Sequence, residues 1–396
     1  AGNEAENHGI IDLSNAETST AMYLDSSEGL NDGKIIMGDK STAIYGIYKN
    51  TTPLYSGAPA GTKNIGSITT TGSSQITVGD ESSAIYSIGF DKVENNGAIT
   101  GGDKTVGIYA KNAATDGYKP VNVTNSGNIT LGKGAAGIYV SPDMSTPSAS
   151  TVTSSGNITV GDSILGSAGN AVTTSVGMSV SNRTVLTTTG NITVGNKGFA
   201  LIGSNNSTIN VNGGSYSFAN SGSLAYLEGN TVLNYNNSGT LTTSSEPMLY
   251  IIDSTANMSG NDINVLPSGT GIYMTGTSSF NSWNNILLGS GSTGIYVDNS
   301  TAVLNGSKIT GTASGGKGVV AVNSDITNYA DMELSADDSI GIFSRNSSSS
   351  TKSIVNNGDL NIRGKRSIAA YLEGTAAQTF KNTGTINVEE TSAIDK

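Results

Sequence analysis

The chain has no cysteine, one histidine and one tryptophan, and only seven of its 396 residues are proline. Each shortage excludes something. Without cysteine there is no disulfide framework, no thiolate nucleophile and no thiolate metal site. A serine triad would have to use His8, near the amino end, and neither an HExxH pair nor a Cys/His metal spacing exists. Charged residues make up 13% of the chain and hydrophobic residues 35%, the latter below the usual ~45–50%. The net charge of −11, with no basic run longer than "RGKR" at 363–366, disfavours nucleic acid, whose phosphates demand clustered Lys and Arg. No apolar run reaches the roughly 18 residues of a membrane helix, and no signal peptide opens the chain. The pattern starts and stops mid-phrase, as in "TSAIDK" at 391–396, so the sequence reads as a segment of a longer protein.

What is abundant is glycine, at 52 residues, together with Ser, Thr and Asn set around short Ile, Val and Tyr clusters. One phrase recurs: "VTNSGNITLGKGAAGIYVS" at 123–141, "NNGAITGGDKTVGIYA" at 95–110, "SSGNITVGDS" at 154–163, "GSGSTGIYVDNS" at 289–300. The apolar residue before each aromatic falls at Met22, Ile44, Ile85, Ile108, Ile138, Met178, Phe199, Ala225, Leu249, Ile272, Ile295, Val319, Ile342, Ala370 and Ile394. The commonest gap is 23 to 24 residues. A repeat of that size without helical periodicity is one coil of a β-solenoid.

Alternation assigns the faces. The position before the aromatic is never polar, and two residues later come Leu24, Val140, Val180, Leu201, Leu227, Ile251, Met274, Val297 and Leu372, so both point inward. The aromatic position also admits Ser179, Ala200 and Asp395 and therefore faces water. Tyr86, Tyr109, Tyr139, Tyr250, Tyr273, Tyr296 and Phe343 then form an outer ladder. A second strand carries Ile129 and Leu131, Ile158 and Val160, Ile192 and Val194; a third, with Val121, Val123 or Ile354, precedes an Asn-x-Gly turn. The asparagines there (Asn95, Asn125, Asn237, Asn356, Asn382) suit a left-handed turn and an inter-coil ladder. The expected fold is all-β, a single elongated three-sided, right-handed parallel β-helix of about 15–17 coils over residues 1–396.

The phrase "NSGNITLGKGAAGIYV", with its "NNG" turns and "GIY" strands, resembles the passenger repeats of large fusobacterial type V autotransporters, the RadD-like and Fap-type outer-membrane adhesins. The likeness is one of repeat style over nearly the whole chain and brings no site motif. It implies a cell-surface stalk attaching to partner bacteria or host cells through a protein or glycan receptor. It also implies an outer-membrane translocator barrel, which is not in this sequence.

Catalysis has little to work with. No catalytic residue, metal site or cofactor is expected, and "GGDKTVG" at 101–107 matches a calcium-binding nonapeptide only once. The acids two residues past the aromatic, Asp25, Glu228, Asp298 and Glu373, are at least three coils apart, roughly 14 Å, against the ~5–10 Å that glycoside hydrolysis requires. Long gaps mark insertions at about 46–66, 110–122, 141–153 and 162–172. The first three follow the "GIY" strand and should leave from one corner, where Tyr48, Tyr55 and Tyr118 with Lys111 and Lys119 would make an irregular binding surface. Two alternatives stand beside adhesion: a carbohydrate-active enzyme on the same fold, and a pure spacer.

Overall fold

The computed structural model describes residues 4–48, 66–113, 119–143, 148–167, 169, 171–219, 221–243 and 245–389. The chain is an all-β parallel solenoid of about 15 turns, with no helix among the described residues. It divides into two compact units, Ala1–Ala219 and Asn220–Lys396.

Each regular coil has three short strands. In the first unit one coil runs through Ser83–Ile88 (the tyrosine strand), Lys92–Asn95 (the asparagine strand) and Ala98–Gly101 (the isoleucine strand). Each pairs in parallel with its counterpart a coil away: Tyr86 with Tyr45 and Tyr109, Asn95 with Asn125, Ile99 with Ile76 and Ile129. The second unit repeats the plan, with Ile272, Ile295, Val319 and Ile342 in one register. Two of its strands, Thr270–Asn281 and Thr293–Asn305, run from the tyrosine face onto the asparagine face without a break.

Pleating places alternate residues inside. Ile44, Ile85, Ile108 and Ile138 form one buried file, and Ile76, Ile99, Ile129 and Ile158 another. The Asn-x-Gly corner is built differently from the sequence expectation. Asn95, Asn125, Asn356 and Asn382 do not adopt positive φ; left-handed residues sit in other turns, among them the turn after the isoleucine strand, at Lys40, Glu81 and Lys104 (φ 54 each), and the turn after the tyrosine strand, at Ser26 (φ 51) and Asn182 (φ 55). The asparagine is there for its carboxamide. Asn95 is fully buried; its Nδ2 donates to Gly97 O (3.0 Å) and to Asn125 Oδ1 (2.8 Å), while its Oδ1 accepts from Thr70 Oγ1 (2.6 Å). Asn328 and Asn356 repeat this in the second unit, with Asn356 donating to Asn382 Oδ1 at 2.7 Å. The glycine that follows is fixed by crowding rather than by φ: a Cβ on Gly127 would lie 1.9 Å from Gly97 O in the coil beside it.

Two expectations need correction. Asn237 is not a ladder residue. The buried corner slot of its coil belongs to Tyr235, paired with Met258, because the strand Val232–Tyr235 ends two residues earlier. In the "GFALIG" coil the register lies two residues further on: Met178 pairs with Leu201, and Ile202 with Ser179. Phe199 is therefore half-buried at the strand's edge, while Ala200 is buried rather than on the water-facing register. Asp395 and Ile394 lie outside the described residues.

Aromatic rings fill the irregular interior. Phe90, 1% exposed, occupies the space left by Gly46 and Gly66, where an added Cβ would come within 2.5 and 2.3 Å of its ring. Trp283 stacks on Phe280 (centroids 4.4 Å apart) and lies against Gly306.

Ile295 is fully buried between Ile272 and Val319. Ile295→Asp should cost several kcal/mol in denaturant unfolding, since the charge would have no partner in a dry core. Tyr296→Asp, on the outer file, should cost about 1 kcal/mol. Equal losses would show that the faces are misassigned.

Candidate binding surface

The tyrosine strand presents an outward ring on most coils, because its side chains alternate and its coils stack in register. In the first unit Tyr23, Tyr45, Tyr86, Tyr109 and Tyr139 have ring centroids 5.4, 5.3, 4.5 and 5.6 Å apart, and successive planes lie within 13° of parallel. Ser179 follows in the same register. In the second unit Tyr226, Tyr250, Tyr273 and Tyr296 continue at 5.8–6.0 Å, Val320 interrupts, and Phe343 stacks on Tyr371 at 5.6 Å. Stacked rings cover one another's faces and leave edges and hydroxyls to water. A sugar ring docks on an aromatic face, so the inner rungs offer it little. The burial is strong enough to move protons: desolvation first, then the neighbouring phenols of Tyr86 and Tyr139, pushes Tyr109 up to about 12. Desolvation, reinforced by Glu246, raises Tyr250 further.

The loop corner is the least regular part of the described surface. Tyr48 leaves the strand Thr42–Ile47, and its N–H donates to Ile88 O (2.9 Å) one coil on. Lys111 pairs with that same Ile88 from the following coil. Lys119, just before the next asparagine strand, places its ammonium 5.8 Å from the centre of the Tyr48 ring, within cation–π range. Three of the five residues named from sequence therefore sit at one corner, with Lys111 and Lys119 two coils from Tyr48. Tyr55 and Tyr118, with most of the first loop (49–65) and residues 114–118 and 144–147, lie outside the described residues. The insertion at 162–172 leaves from a different corner, after the isoleucine strand Ile158–Val160. It forms a small antiparallel hairpin, Ile164–Leu165 with Ala171–Thr173, that exposes Leu165 and Val172.

The acidic groups are tied into turns. Asp39, Asp80 and Asp103 each accept the backbone N–H of the next coil, from Asp80 (2.8 Å), Asp103 (2.8 Å) and Lys133 (2.7 Å). This inter-coil bond accounts for the Asp in "GGDKTVG", and Lys104 pairs with Glu81 alongside it (2.8 Å). Among the described residues no three His, Asp or Glu side chains converge in the manner of a metal site. Glu373 pairs with Arg345 (2.6 Å). His8 lies exposed between Glu6 (2.8 Å) and Asp32 (3.5 Å); hydrogen bonds to Glu6 and then Asp32 raise its pKa.

Fold and surface together define a class: a parallel β-helix whose regular coils are scaffold and whose variation lies in loops at the corners. The model of the BigA third pectate lyase-like domain matches residues 1–221, more than half of the 396-residue chain. The chain belongs to that family, a pectate lyase-like β-helical domain of a bacterial surface protein. Among curated proteins none matches it.

The raised Tyr109 pKa has a sign that can be tested. Its proton is held more tightly in the fold than in the unfolded chain, so the stability it contributes is complete below pH ~10 and is lost as pH rises toward ~12. Wild-type chain should lose stability across that window, and Tyr109→Phe should lose less of it. Identical alkaline profiles for the two would contradict the assignment.

Proposed function

We propose that this chain is an adhesive passenger segment of an autotransporter. In this reading it stands on the bacterial surface as a non-catalytic spacer and presents a receptor-binding corner in its first unit. Its partner is a protein or glycan on a host or bacterial cell. The observation that carries the reading is the convergence of Tyr48 with Lys111 and Lys119, two coils on, at one corner, with the Lys119 ammonium over the Tyr48 ring. A tyrosine at a loop corner is what binding hot spots favour, and Lys111 and Lys119 add polar contacts in a chain of net charge −11. The bacterial-surface family supports the same setting.

A carbohydrate-active reading is favoured by one finding, the pectate lyase-like family itself. Against hydrolysis on the tyrosine face, Glu228 and Asp298 have Ile252 and Thr275 between them in the same register. Three coil steps separate them by roughly 14 Å, beyond the ~5–10 Å of a glycosidase pair.

Binding of the purified chain to whole bacterial and host cells separates these readings. Tyr48→Ala combined with Lys119→Ala should weaken binding by about tenfold or more, whereas Tyr273→Ser with Tyr296→Ser should leave it unchanged. Undiminished binding of the Tyr48/Lys119 variant would move the receptor site elsewhere. Oligosaccharide released from a polysaccharide incubated with the chain would replace the adhesive reading with the enzymatic one.

A further inference from the structure

The triplet Asn-Ile-Thr recurs at 128–130, 157–159 and 191–193, and the solenoid places all three in one register on the isoleucine face. Ile129, Ile158 and Ile192 point inward and are buried. Because residues two apart share a face of a strand, each Asn stands beside its Thr on the outside, and all six are exposed.

The carboxamides are held in one orientation. Asn128 Oδ1 accepts the N–H of Asn157 (3.1 Å), Asn157 Oδ1 that of Asn191 (3.2 Å), and Asn191 Oδ1 those of Ser215 N (2.7 Å) and Ser215 Oγ (3.0 Å). The oxygen is thus spent on the neighbouring coil, and the Nδ2 amide has no acceptor among the described residues. Five other Asn-x-Ser/Thr triplets differ on this point. The Nδ2 of Asn122 donates to Asp91 O (3.2 Å), that of Asn182 to Pro142 O (2.6 Å), that of Asn205 to Asn182 Oδ1 (3.1 Å), that of Asn257 to Asn234 Oδ1 (2.9 Å) and that of Asn299 to Asp298 Oδ1 (2.9 Å).

Asn-x-Ser/Thr with x other than Pro is the acceptor triplet for N-linked glycosylation on an exposed surface. We propose that Asn128, Asn157 and Asn191 are N-glycosylation sites that accept a hexose from a nucleotide-activated sugar through a transferase. In the transfer the bond from the anomeric carbon to the nucleotide's phosphate oxygen breaks, and a bond from that carbon to Nδ2 forms. Nδ2 gives up one proton to a base of the transferase, and the nucleoside diphosphate leaves. Oδ1 is untouched, so each inter-coil hydrogen bond survives and the sugar projects from the isoleucine face. The inference does not depend on the adhesive reading, since it concerns a different face and a different chemistry.

The test is the intact mass and peptide map of the full chain isolated from the bacterium that makes it. The expected result is a mass raised by whole hexose units that map to Asn128, Asn157 and Asn191. Thr130→Val should abolish the sugar on Asn128 while keeping that asparagine and its bond to Asn157, and Thr130→Ser should retain it. An unmodified mass would overturn the proposal. So would sugar mapping only to Asn122, Asn182, Asn205, Asn257 or Asn299, or sugar persisting on Asn128 in the Thr130→Val variant.

Discussion

In a parallel solenoid each residue lies against its counterpart one coil away, about 4.8 Å off, and everything else in this structure follows from that constraint. An apolar file is simple under such a rule, because isoleucine packs on isoleucine. A polar file inside the molecule is not, since each buried group must be satisfied by a copy of itself. Asparagine is one of the few side chains that solves this. Its amide donates twice and its oxygen accepts, so a column of asparagines can bond upward, downward and to its own turn. Asn95 and Asn125 do so, at 0% and 1% exposure.

The same rule shapes the surface. Tyrosines stack because most coils deliver one to the same place, and the turn aspartates line up because each carboxylate accepts the next coil's N–H. Long loops are tolerated because they leave at corners, where the ladder hydrogen bonds of the strands are unaffected. Scaffold and variable surface are thus separated by position within the coil. The corner that carries Tyr48 and Lys119 could change without disturbing the isoleucine file beneath it.

Much of this was legible in the sequence, for a physical reason. A buried file tolerates no polar residue, so the inward positions of the "GIY" and "NIT" strands show themselves by alternation alone. The misreadings fall where the alternation is ambiguous. "GFALIG" offers two overlapping apolar pairs and no tyrosine to mark the outer file, and only pairing with Met178 shows that Leu201, rather than Phe199, holds the position before the outer file. "NNSG" around Asn237 looks like the ladder corner, but Tyr235 already fills the slot. Among the left-handed positions, Asn182, Asn205, Asn230, Asn299 and Asn323 follow propensity, whereas Lys40, Glu81 and Lys104 in "GDKS", "GDES" and "GDKT" stand where propensity points to Gly or Asn. At the candidate site the sequence indicated the corner through its insertions and the out-of-register tyrosines, but not the contact of Lys119 with Tyr48, which depends on how two coils are juxtaposed.

The claim that a buried asparagine ladder holds the coils in register is tested most directly by hydrogen exchange on Asn125→Ala. The substitution leaves the Asn95 amide and the Ser154 hydroxyl without their partner in a dry interior. The account predicts that opening free energies of amides in Lys92–Asn95 and Asn122–Asn125 fall by about 2–3 kcal/mol. Thr124→Ala, on the exposed face of the same strand, should change protection there by less than about 0.5 kcal/mol. Equal protection in Asn125→Ala and wild type would contradict the account.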